Sequence, residues 1–207
     1  MKNDGTIKFS IAKFEETAPH SHRVWREIEA YRSRFHRAGL IGFDEASGFG
    51  FGNISSRGEG TDFVITATQT GHLLQLDGRH YCRVTHADFE RNQLSCSGPA
   101  KPSSEALSHA AFYTRPQVGA VVHVHNRLFW HKLIAGACLS TPAEVSYGSP
   151  ELYRIIAEIM NDPTRELPAL LVTIGHQDGV FAAGRDLEEV WQVVASARLS
   201  SSPEEGE

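Results

Sequence analysis

Cysteine is scarce in this 207-residue chain: Cys82, Cys96 and Cys138 are an odd set with no CxxC spacing. That excludes a disulfide framework and reads as reduced, structural thiols in a cytosolic protein. Long apolar runs are missing as well. No stretch approaches the ~20 apolar residues of a membrane span, and the opening MKNDGTIKFS has no apolar h-region, so no membrane partner is expected and the expected location is cytoplasmic. Basic residues are not in excess: the net charge is −5, which argues against general nucleic-acid binding. There is no internal repeat and no long linker. What remains is an ordinary globular composition, 41% hydrophobic and 22% charged, at a length that suits one large domain. Such a chain can bury roughly 70% of its unfolded surface and needs no cross-links. The expected partner is a small molecule or another copy of the chain. Histidine, by contrast, is abundant, with eleven residues, and hints at metal chemistry.

Residues 1–20 are polar and read as an N-terminal extension, 21–200 as the folded domain, and 201–207 as a disordered tail. Val24, Ile28, Tyr31 and Phe35 recur at helical spacing and predict an amphipathic helix from Ser21 to about Arg37, ending at Gly39. A glycine-rich loop over 47–53 leads into a short strand at 54–57. Further strands are expected at 63–66, 80–85, 92–95, 119–123, 170–174 and 180–182. Ser103 or Ser104 is the expected N-cap of a helix reaching about Thr114 before Pro116. Helices are also expected over 128–135, over 150–160 with Ile155, Ile156 and Ile159 inward, and from Asp186, whose spacing to Glu189 is that of a capping box. Short strands interleaved with helices indicate an α/β or α+β class with a mixed sheet.

The sharpest chemical signal is His123-Val124-His125 at the end of an apolar strand. Residues two apart on a strand point to one side, so both imidazoles can reach one metal ion. Two histidines hydrogen-bonded at a strand end would give the same pattern. A metallo-β-lactamase would need HxHxDH, whereas this chain continues Asn126-Arg127-Leu128; a cupin would be all-β, against the helical stretches here. Pro102-Ser103-Ser104-Glu105 places two hydroxyls at a helix start, which suits an anion and equally suits plain capping. Asn53 behind its glycines and Thr70-Gly71 in a turn carry the same two readings.

In order, GN, TxTG, PSSE and HxH resemble the class II aldolase/adducin family. The stretch KPSSEALSHAAFYTRPQVGAVVHVHN is similar to the heart of that family, and GFGFGNISSR and ITATQTG to its earlier motifs, over about Ala38 to Arg198. The resemblance implies a three-layer α/β/α sandwich around a mixed, mostly antiparallel sheet. It implies phosphate-binding roles for Gly52, Asn53, Thr70, Gly71, Ser103 and Ser104, a catalytic Glu105, and zinc ligation by His123 and His125. The family's third ligand lies before the last helix, where His176 is assigned and Asp178 is the alternative. Manganese, iron or cobalt would also suit imidazole ligands.

The implied activity is a zinc-dependent, aldolase-type carbon–carbon cleavage through an enediolate, on a small phosphorylated ketose or hydroxy-keto compound. The same site could serve epimerisation, dehydration or decarboxylation. A non-catalytic, adducin-like interaction module is the alternative of another class. Family aldolases also use a tyrosine near the C-terminus, often reaching a neighbouring subunit, and form ring tetramers. Here the last tyrosine is Tyr153, with Tyr113, Tyr147 and His131 as possible substitutes.

Overall fold

The computed structural model describes residues 7–46 and 48–199. In chain order its elements are β1 (Ser10–Glu16), α1 (His22–Arg37), β2 (Gly42–Asp44), β3 (Phe49–Phe51), β4 (Asn53–Arg57), β5 (Phe63–Thr66), β6 (Tyr81–Asp88), β7 (Gln93–Gly98), α2 (Ala106–Phe112), β8 (Ala120–His125), α3 (Arg127–Ala135), β9 (Ser140–Thr141), α4 (Pro150–Asn161), β10 (Ala169–Thr173), β11 (Gly179–Gly184) and α5 (Leu187–Leu199). Among these residues no helix is long and apolar enough to cross a membrane.

Nine strands form one sheet in the order β1-β7-β6-β5-β4-β8-β11-β10-β9, and β2 and β3 form a separate hairpin. Only the β1–β7 and β10–β9 pairings are parallel; the rest of the large sheet is antiparallel. Strand β8 lies near the middle, between β4 and β11, and is apolar on both faces as a strand covered on both sides must be. Val121, with Phe181 and Leu171 beside it, packs under Leu107, Ala111, Leu152 and Ile156 of α2 and α4. Ala120, Val122 and Val124 face the other way, into Ile28, Phe35, Phe129, Leu133, Val190 and Val194 of α1, α3 and α5. The period of two along the strand therefore divides the core into two halves, and the result is an α/β/α sandwich.

Several elements depart from the sequence expectation, among them the short strands β2 and β9, which it did not include. Ser10–Glu16, inside the polar extension, is an edge strand whose partner β7 supplies the backbone hydrogen bonds that its side chains do not announce. Phe49–Phe51, expected as loop, pairs with Gly42–Asp44 as a hairpin; Ser47 of that loop and the 201–207 tail lie outside the described residues. Helix α2 begins later than expected, with Glu105 at the N-cap position and no side-chain cap, because Ser103 closes a tighter turn by accepting the Glu105 N–H at 3.3 Å.

Elsewhere the differences are small. Val24 is exposed and Trp25 turns inward against Tyr81 instead. On α4, Leu152, Tyr153, Ile156 and Met160 are the buried face, with Ile155 and Ile159 at its margin. Asp186 accepts the Glu189 N–H at 2.8 Å as expected, but the Glu189 carboxylate reaches back to the Arg185 N–H.

Phe35 joins α1 to α5: it is fully buried and meets Trp191 edge-on at 5.1 Å. Truncation to Ala leaves a cavity between these helices, and Phe35→Ala is expected to cost about 3–5 kcal/mol in urea unfolding at unchanged secondary structure.

Candidate metal and anion site

The end of β8 carries His123 and His125 on the face shared with α2, and the turn between β10 and β11 brings His176 to them. One ligand atom of each of these three histidines lies within 4.8 Å of the others. The Nε2 atoms of His123 and His125 are 2.9 Å apart, and the His176 ring centre is 5.1 Å and 4.8 Å from theirs. Phe181, opposite His123 in the β8–β11 register, stacks on it at 4.2 Å, and Tyr147 lies against His176 at 4.7 Å. Burial first, then the neighbouring His125 and His176, holds His123 well below the ordinary histidine range. It is therefore neutral near pH 7, which is the form that binds a metal ion. Three convergent imidazoles with an adjacent carboxylate fit a divalent transition metal. Asp178, the other candidate ligand, lies outside this cluster, and its carbonyl accepts the Asn126 N–H at 3.1 Å.

Glu105 is buried, and its Oε1 sits 3.8 Å from His123 Nε2 and 3.5 Å from His176 Nδ1. Its Oε2 accepts a 2.7 Å hydrogen bond from Ser108, one turn along α2. One oxygen is thus tied to the helix while the other faces the histidines.

The histidines and Glu105 line a cavity of about 400 Å³. Its lining includes every expected phosphate residue: Gly52, Asn53, Thr70, Gly71, Ser103 and Ser104. Backbone bonds hold the two hydroxyl-bearing turns side by side, Ser103 N–H to Thr66 O at 3.1 Å and Thr68 N–H to Lys101 O at 3.1 Å. The Thr70 hydroxyl donates to Ala67 O at 2.9 Å, so its proton serves the turn. Beneath this turn Arg32, only 1% exposed, donates to Thr70 O at 3.0 Å and Leu74 O at 3.2 Å. Glu29, 4.0 Å from Arg32, offsets that buried charge and itself accepts from Tyr81 at 2.9 Å. The paired guanidinium thus fixes the carbonyls of this turn from below.

Two glycines of the cavity lining are required by close approach. Gly52 has φ +75°, and a Cβ there would fall 2.8 Å from Ile41; a Cβ on Gly71 would fall 2.1 Å from Gly42 O in the β2–β3 hairpin.

Of the substitutes for the family's tyrosine, Tyr113 lies under the sheet bonded to Ser55, His131 packs on Trp130, and Tyr147 backs His176. Sequence reasoning missed Ser108, Arg32, His109 and Ser55. His109 had a usable signal, since it follows Glu105 by one helical turn and so shares its face.

The profile of the family "Class II Aldolase and Adducin N-terminal domain" matches residues 35–198. The chain belongs to this family. Family members use a divalent metal ion, and the three histidines above are a candidate site for one. Among curated proteins, a methylthioribulose-1-phosphate dehydratase of Pseudomonas savastanoi pv. phaseolicola is 33% identical over 86 residues, 40% of this chain and 42% of that protein. The chain thus matches less than half the length of this relative. Among solved structures, YgbL of Klebsiella pneumoniae, a candidate aldolase/epimerase/decarboxylase, superposes with a TM-score of 0.61 at 20% identity, covering 86% of this chain and 88% of that one. An L-fuculose 1-phosphate aldolase gives 0.60 at 18% identity, covering 87% and 84%. At these identities the structural likeness establishes the fold.

Gly71→Ala pushes a methyl group into the Gly42 carbonyl. It is expected to cost about 1–3 kcal/mol by urea unfolding, as overpacking does. Unchanged stability would mean that the hairpin and the turn are not in contact in solution.

Proposed function

We propose that this chain is a zinc-dependent lyase acting on a small phosphorylated ketose. The observation that carries the reading is the Glu105 carboxylate, 3.5 Å from His176 and 3.8 Å from His123, in the lining of one cavity that the Thr70-Gly71 and Ser103-Ser104 turns also line. His123, His125 and His176 would hold the metal ion, and the ion would supply Lewis-acid polarisation of a substrate carbonyl. The two turns, with Asn53 and Gly52, would hold the phosphate and orient the far end of the substrate. Glu105 would move the proton on the carbon next to the carbonyl, with Ser108 fixing the carboxylate for that transfer.

Two outcomes of that proton transfer fit the site. In carbon–carbon cleavage, Glu105 would take the proton of the hydroxyl on the leaving carbon, the bonding electrons would move toward the carbonyl as an aldehyde leaves, and Glu105 would return that proton to the carbon left behind. In dehydration, Glu105 would remove the proton from the carbon and pass it to the hydroxyl on the next carbon, which departs as water. Cleavage is the first reading from the family resemblance. The second is supported by the partial match to a dehydratase. Assembly of several copies, as a tetramer, and a cytoplasmic location belong to the same proposal.

Incubation of zinc-loaded protein with a panel of ketose 1-phosphates, read by mass spectrometry, is expected to give either an aldehyde fragment or a product lighter by one water. Glu105→Gln is expected to slow turnover by about 10²–10⁴-fold with metal content retained, as loss of general acid–base assistance does. Full turnover in that variant would remove Glu105 from the mechanism. Metal analysis is expected to give one ion per chain, lost in His123→Ala and His176→Ala and kept in Asp178→Ala. Absence of bound metal together with no reaction on any ketose phosphate would favour the interaction-module alternative.

A further inference from the structure

Behind Asn53 runs a line of buried polar groups that the reaction above does not use. His109, fully buried on α2, places Nε2 2.6 Å from Asn53 Oδ1 and Nδ1 2.7 Å from the Ser55 hydroxyl. The Ser55 hydroxyl is in turn 2.7 Å from the hydroxyl of Tyr113, which is 1% exposed. Burial pushes the His109 imidazole down to about 3, so the ring is neutral and carries a single N–H.

The direction of this chain is set at its inner end. Among the described residues, the Tyr113 hydroxyl has one acceptor within hydrogen-bond distance, Ser55. A buried phenol proton left without an acceptor is costly, so Tyr113 donates to Ser55. Ser55 then donates to His109 Nδ1, the one N–H of His109 must sit on Nε2, and it donates to Asn53 Oδ1. With its oxygen engaged from behind, Asn53 turns its NH2 group forward. Asn53 lines the cavity and faces His123 directly in the β4–β8 register.

We propose that His109 is a positioning residue: the one-way chain Tyr113–Ser55–His109 locks Asn53 so that it meets a ligand only as a hydrogen-bond donor. The site beside His123 thereby offers a donor, which pairs with an acceptor oxygen such as that of a phosphate and not with a donor group. This assignment of the ligand rests on the proposed function; the direction of the hydrogen-bond chain does not.

Long-range ¹H–¹⁵N spectra of the zinc-loaded full chain are expected to show His109 protonated on Nε2 alone. Tyr113→Phe removes the donor that sets the direction and is expected to give a mixture of both tautomers. A wild-type ring protonated on Nδ1, or an unaltered tautomer in Tyr113→Phe, would overturn the chain. Titration with inorganic phosphate, followed on the Asn53 side-chain NH2 signals, is expected to show affinity weakened about fivefold or more in His109→Leu. His109→Gln keeps a donor toward Asn53 and is expected to restore that affinity, which a role confined to filling space would not require. Equal affinity in folded His109→Leu and wild type, or a Gln variant as weak as the Leu variant, counts against the proposal. If the Leu variant does not fold, Gln against wild type and the tautomer spectra decide. Wild-type protein that binds no phosphate would sink the anion reading of the cavity, while the tautomer spectra still decide the relay.

Discussion

The register of β8 between β4 and β11 governs everything at the site. Its pairings set Asn53 and Phe181 on either side of His123 and set Gly179 beside His125. Because side chains alternate along a strand, a slip of one residue would turn both imidazoles to the opposite face, toward α1, α3 and α5. The apolar residues just before them prevent that slip. Val121 and Val122 are buried in opposite halves of the core, so each half is filled in only one register. A binding site at a strand end is thus positioned by packing further back along the same strand.

From that fixed strand the rest of the site is assembled by short-range constraints. His176 comes from a tight turn in which its N–H reaches Thr173 O and its carbonyl accepts from Gly179. Gly175 and Gly179 leave no room for a Cβ, at 2.0 Å from Val145 O and 2.9 Å from Thr173 Oγ1 respectively, so the turn packs flush against its surroundings. At the Thr70-Gly71 turn, Arg32 spans from α1 to two carbonyls of the 70–74 segment. A long helix buried against the sheet therefore holds a loop that has little secondary structure of its own.

The site was more legible in the sequence than the edges of the fold. HxH, PSSE and TQTG are each open to a plain structural reading alone and become legible as an ordered set that resembles the family, and the structure gathers them around one cavity. The β8 core was legible for a different reason, as a run of β-branched residues. The edge strand Ser10–Glu16 was not, because its seven residues are mostly exposed and its order comes from the backbone of β7. The hairpin around Phe49–Phe51 was hidden by its glycines, which read as loop but serve close approach to Gly71. Helix boundaries at α2 shifted because a serine hydroxyl can close a turn as readily as cap a helix.

Burial explains why one small region can hold so many histidines. Imidazoles in water near neutral pH carry partial positive charge and would repel one another; here His123 and His109 are driven neutral by desolvation. Neutral rings can be packed edge to face and stacked, as His123 is on Phe181, and each offers one lone pair. What those lone pairs do then depends on their surroundings. Around His123 they converge with those of His125 and His176 beside a carboxylate, an arrangement suited to a cation. At His109 the lone pair meets the Ser55 hydroxyl and the N–H meets the Asn53 amide oxygen, an arrangement suited to transmitting orientation. The same residue type, made neutral by the same burial, is directed to two tasks on either side of Asn53.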